Sequence, residues 1–346
     1  MSNEIFFALS GEHPTLPPAE IRAIFEARGL PGETRELAPR LVVARGGWRE
    51  AKEVGERSGM CKLSGIKIFE CALGLEEILR GLSRANLEAY LKFGDTFAVR
   101  AVKLTEEKVR VEGSRLERAI GGKIARKVAG LKVDLESPRK TVLGILLKDR
   151  FILGLEAYRR PRGALALREP RRRPALHPAT MRPKLARCMV NLARPVEGGL
   201  LLDPFCGVGG LLIEAGLVGC KVVGCDVKLS MVKGAIKNLI HFGIEPEGLV
   251  QADARRIPFN SAQSIATDPP YGTAATTLKS PVEGLLEAFF PEALRVLESR
   301  GCACLAAPKW ARAWEIGEEH GFKLVEKHEV YVHRRLTREI IVLRKK

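Results

Sequence analysis

Apolar and polar positions in the second half of the chain follow two periods. Short apolar runs alternate with longer segments in which apolar residues recur every three or four positions. Short runs are typical of buried strands, and the longer period is typical of amphipathic helices. The pattern predicts strands at 199–203, 221–226, 249–252, 264–268 and 302–306, and helices at 184–192, 210–217, 230–242, 282–298 and 312–320. Strands that alternate with helices form a parallel sheet with right-handed crossovers. A last pair of strands, at 322–332 and 339–343, adds one antiparallel member.

The first half of the chain follows a different plan. Strands are predicted at 5–9, 41–44 and 66–71, with one helix that opens at Pro18 and another at 76–82. The pattern changes near Tyr90, where it predicts a strand at 96–102, a basic amphipathic helix at 116–129 and strands at 133–135, 141–147 and 150–155. Residues 1–85 and 86–157 are therefore predicted to form two small α/β domains.

A stretch rich in arginine and proline separates these domains from the second half. Residues 158–174 contain seven arginines and three prolines. This density predicts an extended, exposed linker before a last domain at 175–346. The linker is either a solvated tether or a surface for phosphate groups.

Charge and cysteine content narrow the class of protein. The 346 residues carry a formal net charge of +16, which favours a polyanionic partner such as a nucleic acid. An alternative source of basic residues is the surface ion pairs of thermophilic proteins. The eight cysteines contain no CxxC pair, so we expect reduced, buried thiols and no metal site. No apolar run is long enough for a membrane span, and we expect a soluble, cytoplasmic protein.

A glycine-rich turn follows the first strand of the last domain. It reads Asp203-Pro204-Phe205-Cys206-Gly207-Val208-Gly209. Glycines let the backbone approach a ligand closely, but the spacing is not that of a dinucleotide fingerprint. An acid in front of the turn suits a cationic ligand, so we predict that Asp203, Phe205, Cys206, Gly207 and Gly209 bind S-adenosylmethionine.

Two further acids end the next strands. Asp226 is placed to accept hydrogen bonds from ribose hydroxyls, although it could instead cap a helix. Asp253 is placed to accept from an adenine amino group. With their neighbours Val227 and Ala254, these acids are predicted to line one crevice with Asp203, because open α/β sheets bind ligands at the carboxyl ends of their strands.

The most informative motif is Asp268-Pro269-Pro270-Tyr271-Gly272, which follows the fourth strand of this domain. Two prolines stiffen the loop and remove backbone donors, so the Asp268 carboxylate and the Pro269 carbonyl remain as acceptors. Acceptors on both N–H bonds of an aromatic amine free its lone pair for a methyl group. Tyr271 is expected to stack on the base. We therefore predict that Asp268, Pro269, Pro270 and Tyr271 are catalytic and that Asp268 also borders the cofactor.

The segment before the first helix of this domain reads His177-Pro178-Ala179-Thr180. It is expected to cover the cofactor through His177, Pro178 and Thr180, although His177 could equally be a linker residue.

Together, these motifs resemble the archaeal tRNA guanosine-10 N2-methyltransferase family. The resemblance rests on His177-Pro178, the turn at 203–207, the loop at 268–272 and Tyr331-Val332-His333-Arg334. It implies a ferredoxin-like domain at 1–85, a THUMP domain at 86–157 and a Rossmann-like methyltransferase domain at 175–346. Residues that look like the THUMP pattern include Phe97, Val99, Arg100, Gly121 and Pro138. Val208 and Arg335 depart from the family, which commonly carries Thr and Ser there.

The resemblance implies methyl transfer to N2 of guanosine 10 in tRNA, once or twice, by a monomer. Alternatives are guanosine 6, an amine of adenine or cytosine in DNA, or a tRNA-binding protein without activity. The THUMP-like segment argues against DNA. The residues expected to contact RNA are Arg100, Arg118, Lys123, Arg126, Lys127, Arg159, Arg160, Arg171, Arg172, Arg173, His333 and Arg334.

Overall fold

The computed structural model describes residues 4–107, 112–178, 180–271, 282–334 and 336–346. The chain divides into two compact units. The first unit comprises Met1–Ile21, Leu30–Glu56 and Cys61–Arg160, and the second comprises Arg22–Gly29, Arg57–Met60 and Pro161–Lys346. Two short segments of the N-terminal part of the sequence therefore belong to the second unit. Among the described helices, none is long and apolar enough to cross a bilayer.

The first unit is built on a single mixed sheet in the order β2-β3-β1-β4-β8-β7-β5-β6. Its strands are β1 Glu4–Leu9, β2 Arg35–Ala38, β3 Leu41–Arg45, β4 Cys61–Ala72, β5 Thr96–Lys103, β6 Lys132–Val133, β7 Lys140–Leu146 and β8 Arg150–Arg159. The helices that begin or lie in this part of the sequence are α1 Leu16–Ala27, α2 Trp48–Arg57, α3 Leu75–Arg84 and α4 Gly113–Lys127.

The first four strands and two helices have the βαββαβ order of a ferredoxin-like fold. The sequence did not predict β2 or α2. Strand β2 has only four residues. Helix α2 (WREAKEVGER) is amphipathic, but it has few large apolar residues to mark its buried face in the sequence.

Helix α4 packs by one apolar stripe. Its buried residues Leu116, Ile120 and Ile124 recur every four positions and share a core with Phe97 and Val99 of β5. The helix covers 113–127 where the sequence predicted 116–129, so its existence was predicted well and its end less well. The rest of its surface carries the basic residues.

The second unit has a seven-stranded sheet in the order β11-β10-β9-β12-β13-β15-β14. Its strands are β9 Leu200–Asp203, β10 Lys221–Asp226, β11 Gly248–Gln251, β12 Ala262–Thr267, β13 Leu297–Pro308, β14 Phe322–His333 and β15 Leu336–Lys345. Its helices are α5 Pro183–Leu192, α6 Gly210–Gly216, α7 Leu229–His241, α8 Val282–Val296 and α9 Ala313–Glu319.

Strand directions in this sheet confirm the predicted fold class. The pairs β9/β10, β10/β11, β9/β12 and β12/β13 are parallel, whereas β15 is antiparallel to both β13 and β14. The single antiparallel member is therefore β15. A core of Leu202, Ile265, Phe289 and Phe290 fills the space between the sheet and α8.

The prediction of an extended, exposed linker at 158–174 was wrong in two respects. Strand β8 runs to Arg159, and short 3-10 turns occupy Ala166–Arg168 and Pro170–Arg172. Arg168 forms an ion pair with the fully buried Glu214 of α6, and Arg173 is only 6% exposed. A buried carboxylate requires cationic partners, and this requirement is invisible in local composition.

Candidate functional site

A cavity of about 490 Å³ opens where strands β9, β10 and β12 end. Its volume is in the range of small-molecule sites. Predicted cofactor residues in its lining are His177, Thr180, Asp203, Phe205, Cys206, Gly207, Asp226, Val227, Asp253, Ala254 and Asp268. The predicted catalytic residues Pro269, Pro270 and Tyr271 and the predicted RNA contact His333 also line it. Pro178 and Gly209, both predicted to bind cofactor, are not part of the lining.

The glycine turn between β9 and α6 uses two left-handed residues. Gly207 has φ +49° and Gly209 has φ +83°, values that favour glycine. A side chain at Gly207 would meet no atom within 4 Å, so its backbone faces open space. At Gly209 a Cβ would lie 3.2 Å from that of Ala235. Gly209 therefore allows α6 to pack closely against α7. Of the two glycines, Gly207 is the one whose backbone is open to a ligand.

Asp203 ends β9 and is 1% exposed. Its Oδ1 accepts the Thr267 hydroxyl at 2.7 Å and the Phe205 N–H at 3.1 Å. Burial raises the pKa of this carboxyl to about 7, and the nearby Asp268 and Asp226 add to the rise, although both hydrogen bonds oppose it. Near neutral pH, Asp203 therefore exists in both protonation states.

Asp226, at the end of β10, is tied to the glycine turn. Its Oδ2 accepts the Gly207 N–H at 3.0 Å, and its Oδ1 accepts the Lys228 N–H at 2.9 Å. Asp226 is therefore not the helix cap that the sequence left open as an alternative, since the N-cap of α7 is Lys228, and the Asp226 side chain borders the cavity. Asp253 is paired with Arg255, whose Nη2 lies 2.6 Å from Oδ2. The hydrogen bonds from Arg255 lower the pKa of Asp253.

The Asp-Pro-Pro-Tyr loop begins directly after β12. The Tyr271 hydroxyl donates to Oδ1 of Asp268, and Arg338 Nη2 lies 3.8 Å from Oδ2. The Arg338 guanidinium carbon is 5.2 Å from the centre of the Tyr271 ring. Burial raises the pKa of Asp268, and the charge of Arg338 and the Tyr271 hydrogen bond partly offset this rise. Burial and Asp268 raise the pKa of Tyr271, so its phenol stays protonated. Gly272 lies outside the described residues.

Two flanking groups complete the cavity wall. Thr180 donates its hydroxyl to the His177 carbonyl oxygen at 2.7 Å, which fixes the turn that covers one side. Cys206 is buried beside the glycine turn, and burial raises the pKa of its thiol well above the ordinary value. A neutral, buried thiol is a poor nucleophile, so Cys206 supplies apolar surface.

Apart from His333 in the cavity wall, the predicted RNA contacts fall into three groups. Arg118, Arg126, Arg159, Arg171, Arg172 and Arg334 are exposed. Lys123, Arg100 and Arg160 are partly buried, and Arg100 donates to the Leu135 carbonyl. Lys127 donates to the carbonyls of Leu82, Ser83 and Ala85 at the end of α3, and Arg173 is buried. The last two side chains therefore serve the fold.

Several lining residues were not among the predicted site residues. They are Met181, Pro204, Val208, Gly210, Leu211, Lys228, Met231, Arg255, Leu285, Val332, Leu336 and Arg338. Most lie next to a predicted residue, so the motifs could have been extended to them. Arg338 is different, because only the pairing of β15 with β13 brings it near the loop at 268–271. Arg335, which departs from the resembled family, lies outside the described residues.

Comparison with known proteins adds two family models and several relatives. The model of the RMKL-like methyltransferase domain matches residues 170–340, and the THUMP domain model matches residues 74–156. The tRNA (guanine(10)-N2)-dimethyltransferase of Methanothermobacter thermautotrophicus is 36% identical, over 98% of this chain and 99% of its own length. The same enzyme of Methanocaldococcus jannaschii is 32% identical, over 99% of both chains.

Among solved structures, TrmN from Thermus thermophilus superposes with a TM-score of 0.55 at 22% sequence identity. The match covers 99% of this chain and 100% of that one. At this identity, the likeness demonstrates a shared fold.

Proposed function

The chain belongs to the family of archaeal tRNA (guanine(10)-N2)-dimethyltransferases, and we propose that it transfers methyl groups from S-adenosylmethionine to the N2 amine of a guanosine in tRNA. The observation that carries this proposal is the position of the Asp268 carboxylate and Pro269. Both open onto a cavity whose wall also holds Asp203, Asp226 and Asp253. The amine acceptors and the strand-end acids thus share one space.

The residues present fit S-adenosylmethionine. Asp203 and Asp226 offer carboxylate oxygens to an ammonium and to ribose hydroxyls, and the open backbone at Gly207 allows close approach. Apolar surface from Phe205, Cys206 and Met231 suits an adenine ring. When bound, this cofactor supplies an electrophilic methyl group on its sulfonium. Asp253 is paired with Arg255, so it would accept a base amine only through the oxygen lone pairs that this pair leaves free.

The loop at 268–271 performs the chemical work. Asp268 and the Pro269 carbonyl oxygen accept the two N–H bonds of the amine, so the nitrogen becomes more tetrahedral and its lone pair leaves the ring system. Transfer is direct, because the buried neutral thiol of Cys206 offers no covalent route. The extra proton then leaves to water or to Asp268. Tyr271 already donates to Asp268, so the incoming amine takes the place of the phenol before the ring stacks on the base.

We propose guanosine 10 as the target position and guanosine 6 as the second candidate. We also propose ferredoxin-like, THUMP and methyltransferase regions at 1–85, 86–157 and 175–346, a monomeric state, and a cytoplasmic protein that acts on tRNA and not on DNA. The match of the THUMP model to 74–156 supports a role in tRNA binding for that region.

The test uses labelled S-adenosylmethionine with tRNA transcripts in which guanosine 10 or guanosine 6 is replaced singly. We expect the label to be lost only when guanosine 10 is replaced. Loss only with the guanosine 6 change would support the second candidate, and label on duplex DNA but not on tRNA would contradict both.

The role of Asp268 is tested with Asp268→Asn, which keeps the shape of the side chain and removes its charge. We expect methyl transfer to fall on the order of 10²–10³-fold or more, while cofactor affinity stays close to that of the unsubstituted protein. Near-normal turnover in this variant would contradict the role of Asp268. A folded protein that binds tRNA and cofactor but labels no transcript would show the inert alternative.

A further inference from the structure

Arg338 has a place in the cavity that neither the fold nor the amine chemistry explains. It lies on β15, opposite Pro308 of β13 and Val330 of β14, and its side chain is 15% exposed. Its Nη2 is 3.8 Å from Asp268 Oδ2, beyond direct hydrogen-bond distance. Its Nε is buried and has no hydrogen-bond partner among the residues that the structure describes. Although the guanidinium also contacts the Tyr271 side chain, Arg338 thus keeps a donor without an acceptor in this part of the chain, beside the carboxylate that accepts the amine.

A purely structural role leaves part of this arrangement unexplained. A counter-ion for Asp268 needs charge, which a lysine supplies as well, whereas a guanidinium presents five N–H donors in a rigid fork. Burying a donor without an acceptor is costly, and such groups in folded proteins call for a partner that arrives later. The partner must be an acceptor that reaches the cavity next to the Asp268 carboxylate.

Guanine has that acceptor, and the order of its donors and acceptors matches the order of the groups in the cavity wall. Its Watson–Crick edge presents the O6 acceptor, then the N1–H donor, then the N2 amine with its two donors. The cavity wall presents the Arg338 donors, then the Asp268 carboxylate, with the Pro269 carbonyl following in the loop. Arginine is also the side chain that most often recognises guanine O6. The two sets of groups are complementary.

We propose that Arg338 donates to O6 of the target guanine and sets the preference of the loop for guanine over adenine. The proposal rests on the proposed function, since it concerns the base whose amine is methylated. An adenine with its amine at Asp268 would place the N1 acceptor toward the carboxylate and no acceptor toward Arg338. The same Asp-Pro-Pro-Tyr loop would then favour N2 of guanine.

The test compares guanosine with 2-aminopurine at the methylated position of an otherwise identical tRNA. 2-Aminopurine keeps the exocyclic amine, lacks O6 and has an N1 acceptor in place of the N1–H donor. The N1 difference affects the unsubstituted protein and the Arg338 variants alike, so the change in their ratio reports on O6. For the unsubstituted protein, we expect kcat/KM to be on the order of 10- to 100-fold lower on 2-aminopurine. In Arg338→Ala, we expect a similar loss on guanosine and little further loss on 2-aminopurine, so that the ratio shrinks at least about fivefold. Arg338→Lys should recover part of the ratio because it restores one donor.

The control is Arg334→Ala, an exposed arginine in the same hairpin. It should lower kcat/KM for both substrates alike and leave their ratio unchanged. An unchanged ratio in Arg338→Ala would overturn the proposal and leave a charge or packing role. Cofactor affinity and the melting temperature of each variant identify misfolding. If Arg338→Ala misfolds, the ratio of kcat/KM on guanosine to kcat/KM on 2-aminopurine in Arg338→Lys decides the outcome. If the unsubstituted protein labels no guanosine, the proposed function fails, whatever the Arg338 variants do.

Discussion

Asp203 combines near-complete burial with a pKa that burial raises to about 7. A cationic ligand binds the ionised carboxylate, whose population falls as the pH drops through this value. We therefore expect the affinity for S-adenosylhomocysteine, which keeps the amino-acid ammonium, to rise with pH up to about 7 and then level off. The limiting slope is about tenfold per pH unit. Calorimetry in buffers of different ionisation enthalpy should show proton release on binding near pH 6.5 and none near pH 8.5.

Two variants isolate the source of this pH dependence. Asp203→Asn cannot ionise, so its weaker binding should be independent of pH over the same interval. Asp226→Asn removes a carboxylate of the same cavity but keeps Asp203. It should bind more weakly and retain a pH dependence whose midpoint lies at lower pH, because Asp226 contributes to the raised pKa of Asp203. A pH profile in Asp203→Asn that matches that of the unsubstituted protein would assign the titration to another group.

At the level of single residues, the sequence predicted what lies at strand ends and missed what strand pairing brings together. Asp203, Asp226 and Asp268 were found because each follows an apolar run, and parallel strands end at one edge. The hydrogen bond from Tyr271 to Asp268 was not predicted, since it depends on a rotamer. Arg338 was missed because β15 lies far along the chain and its register sets which residues face the loop.

At the level of elements, the order of strands and helices in the second unit was predicted almost completely, because each has a clear period. Failures came where burial depends on distant partners. The segment at 161–173 was predicted to be part of an exposed linker, yet Arg168 Nε lies 2.8 Å from Oε1 of Glu214 on α6. Arg187 Nε on α5 lies 2.8 Å from Oε2 of the same carboxylate. The family resemblance, in contrast, was confirmed by relatives that match the whole length.

The Glu214 cluster gives a prediction about stability. Glu214 is fully buried between two arginines of which Arg187 is only 8% exposed. Glu214→Gln removes the negative charge that both guanidinium groups share, and Arg168 and Arg187 keep only uncharged acceptors such as the Ala164 and Arg57 carbonyls. We therefore expect a loss on the order of 3–5 kcal/mol in the free energy of unfolding. Chemical denaturation followed by circular dichroism measures this loss.

The matched control for that loss is Glu247→Gln. Glu247 forms a surface pair with Lys221 at 3.3 Å, and both side chains are about half exposed. Removing this pair should cost less than about 1 kcal/mol, because solvent screens exposed charges. Equal losses in the two variants would show that burial of Glu214 adds nothing to its interaction with the arginines.

At the scale of the whole molecule, the net charge of +16 is divided between cations in surface ion pairs and cations available to phosphate groups. Surface ion pairs account for some basic residues, such as Arg49 with Glu53 and Lys52 with Glu56 on α2. Arg118 and Arg126 on α4 differ, since they are exposed and form no ion pair with any residue that the structure describes. Unpaired cations on one helix of a THUMP region are the side chains expected to meet phosphate groups.

This difference can be measured through salt dependence. Each cation that neutralises a phosphate adds about 0.7–0.9 to the slope of log affinity against log salt concentration. We expect the double change Arg118→Ala and Arg126→Ala to weaken tRNA binding and to reduce that slope by about 1.4–1.8. Turnover at saturating tRNA should stay near that of the unsubstituted protein, because the cavity lies in the other unit. Deletion of the N-terminal half would also remove Arg22–Gly29 and Arg57–Met60, which belong to the second unit. The point changes avoid this damage and therefore test tRNA binding more directly.

The control removes the same net charge from the same unit. Arg49→Ala with Lys52→Ala takes away two cations that are already paired with glutamates, so the slope should change little. Net charge alone would make the two double variants alike, because each lowers the charge of the molecule by two. A larger change in slope for the α4 variant would therefore place the phosphates at that helix, and equal changes would mean that the tRNA responds to the overall charge of the protein.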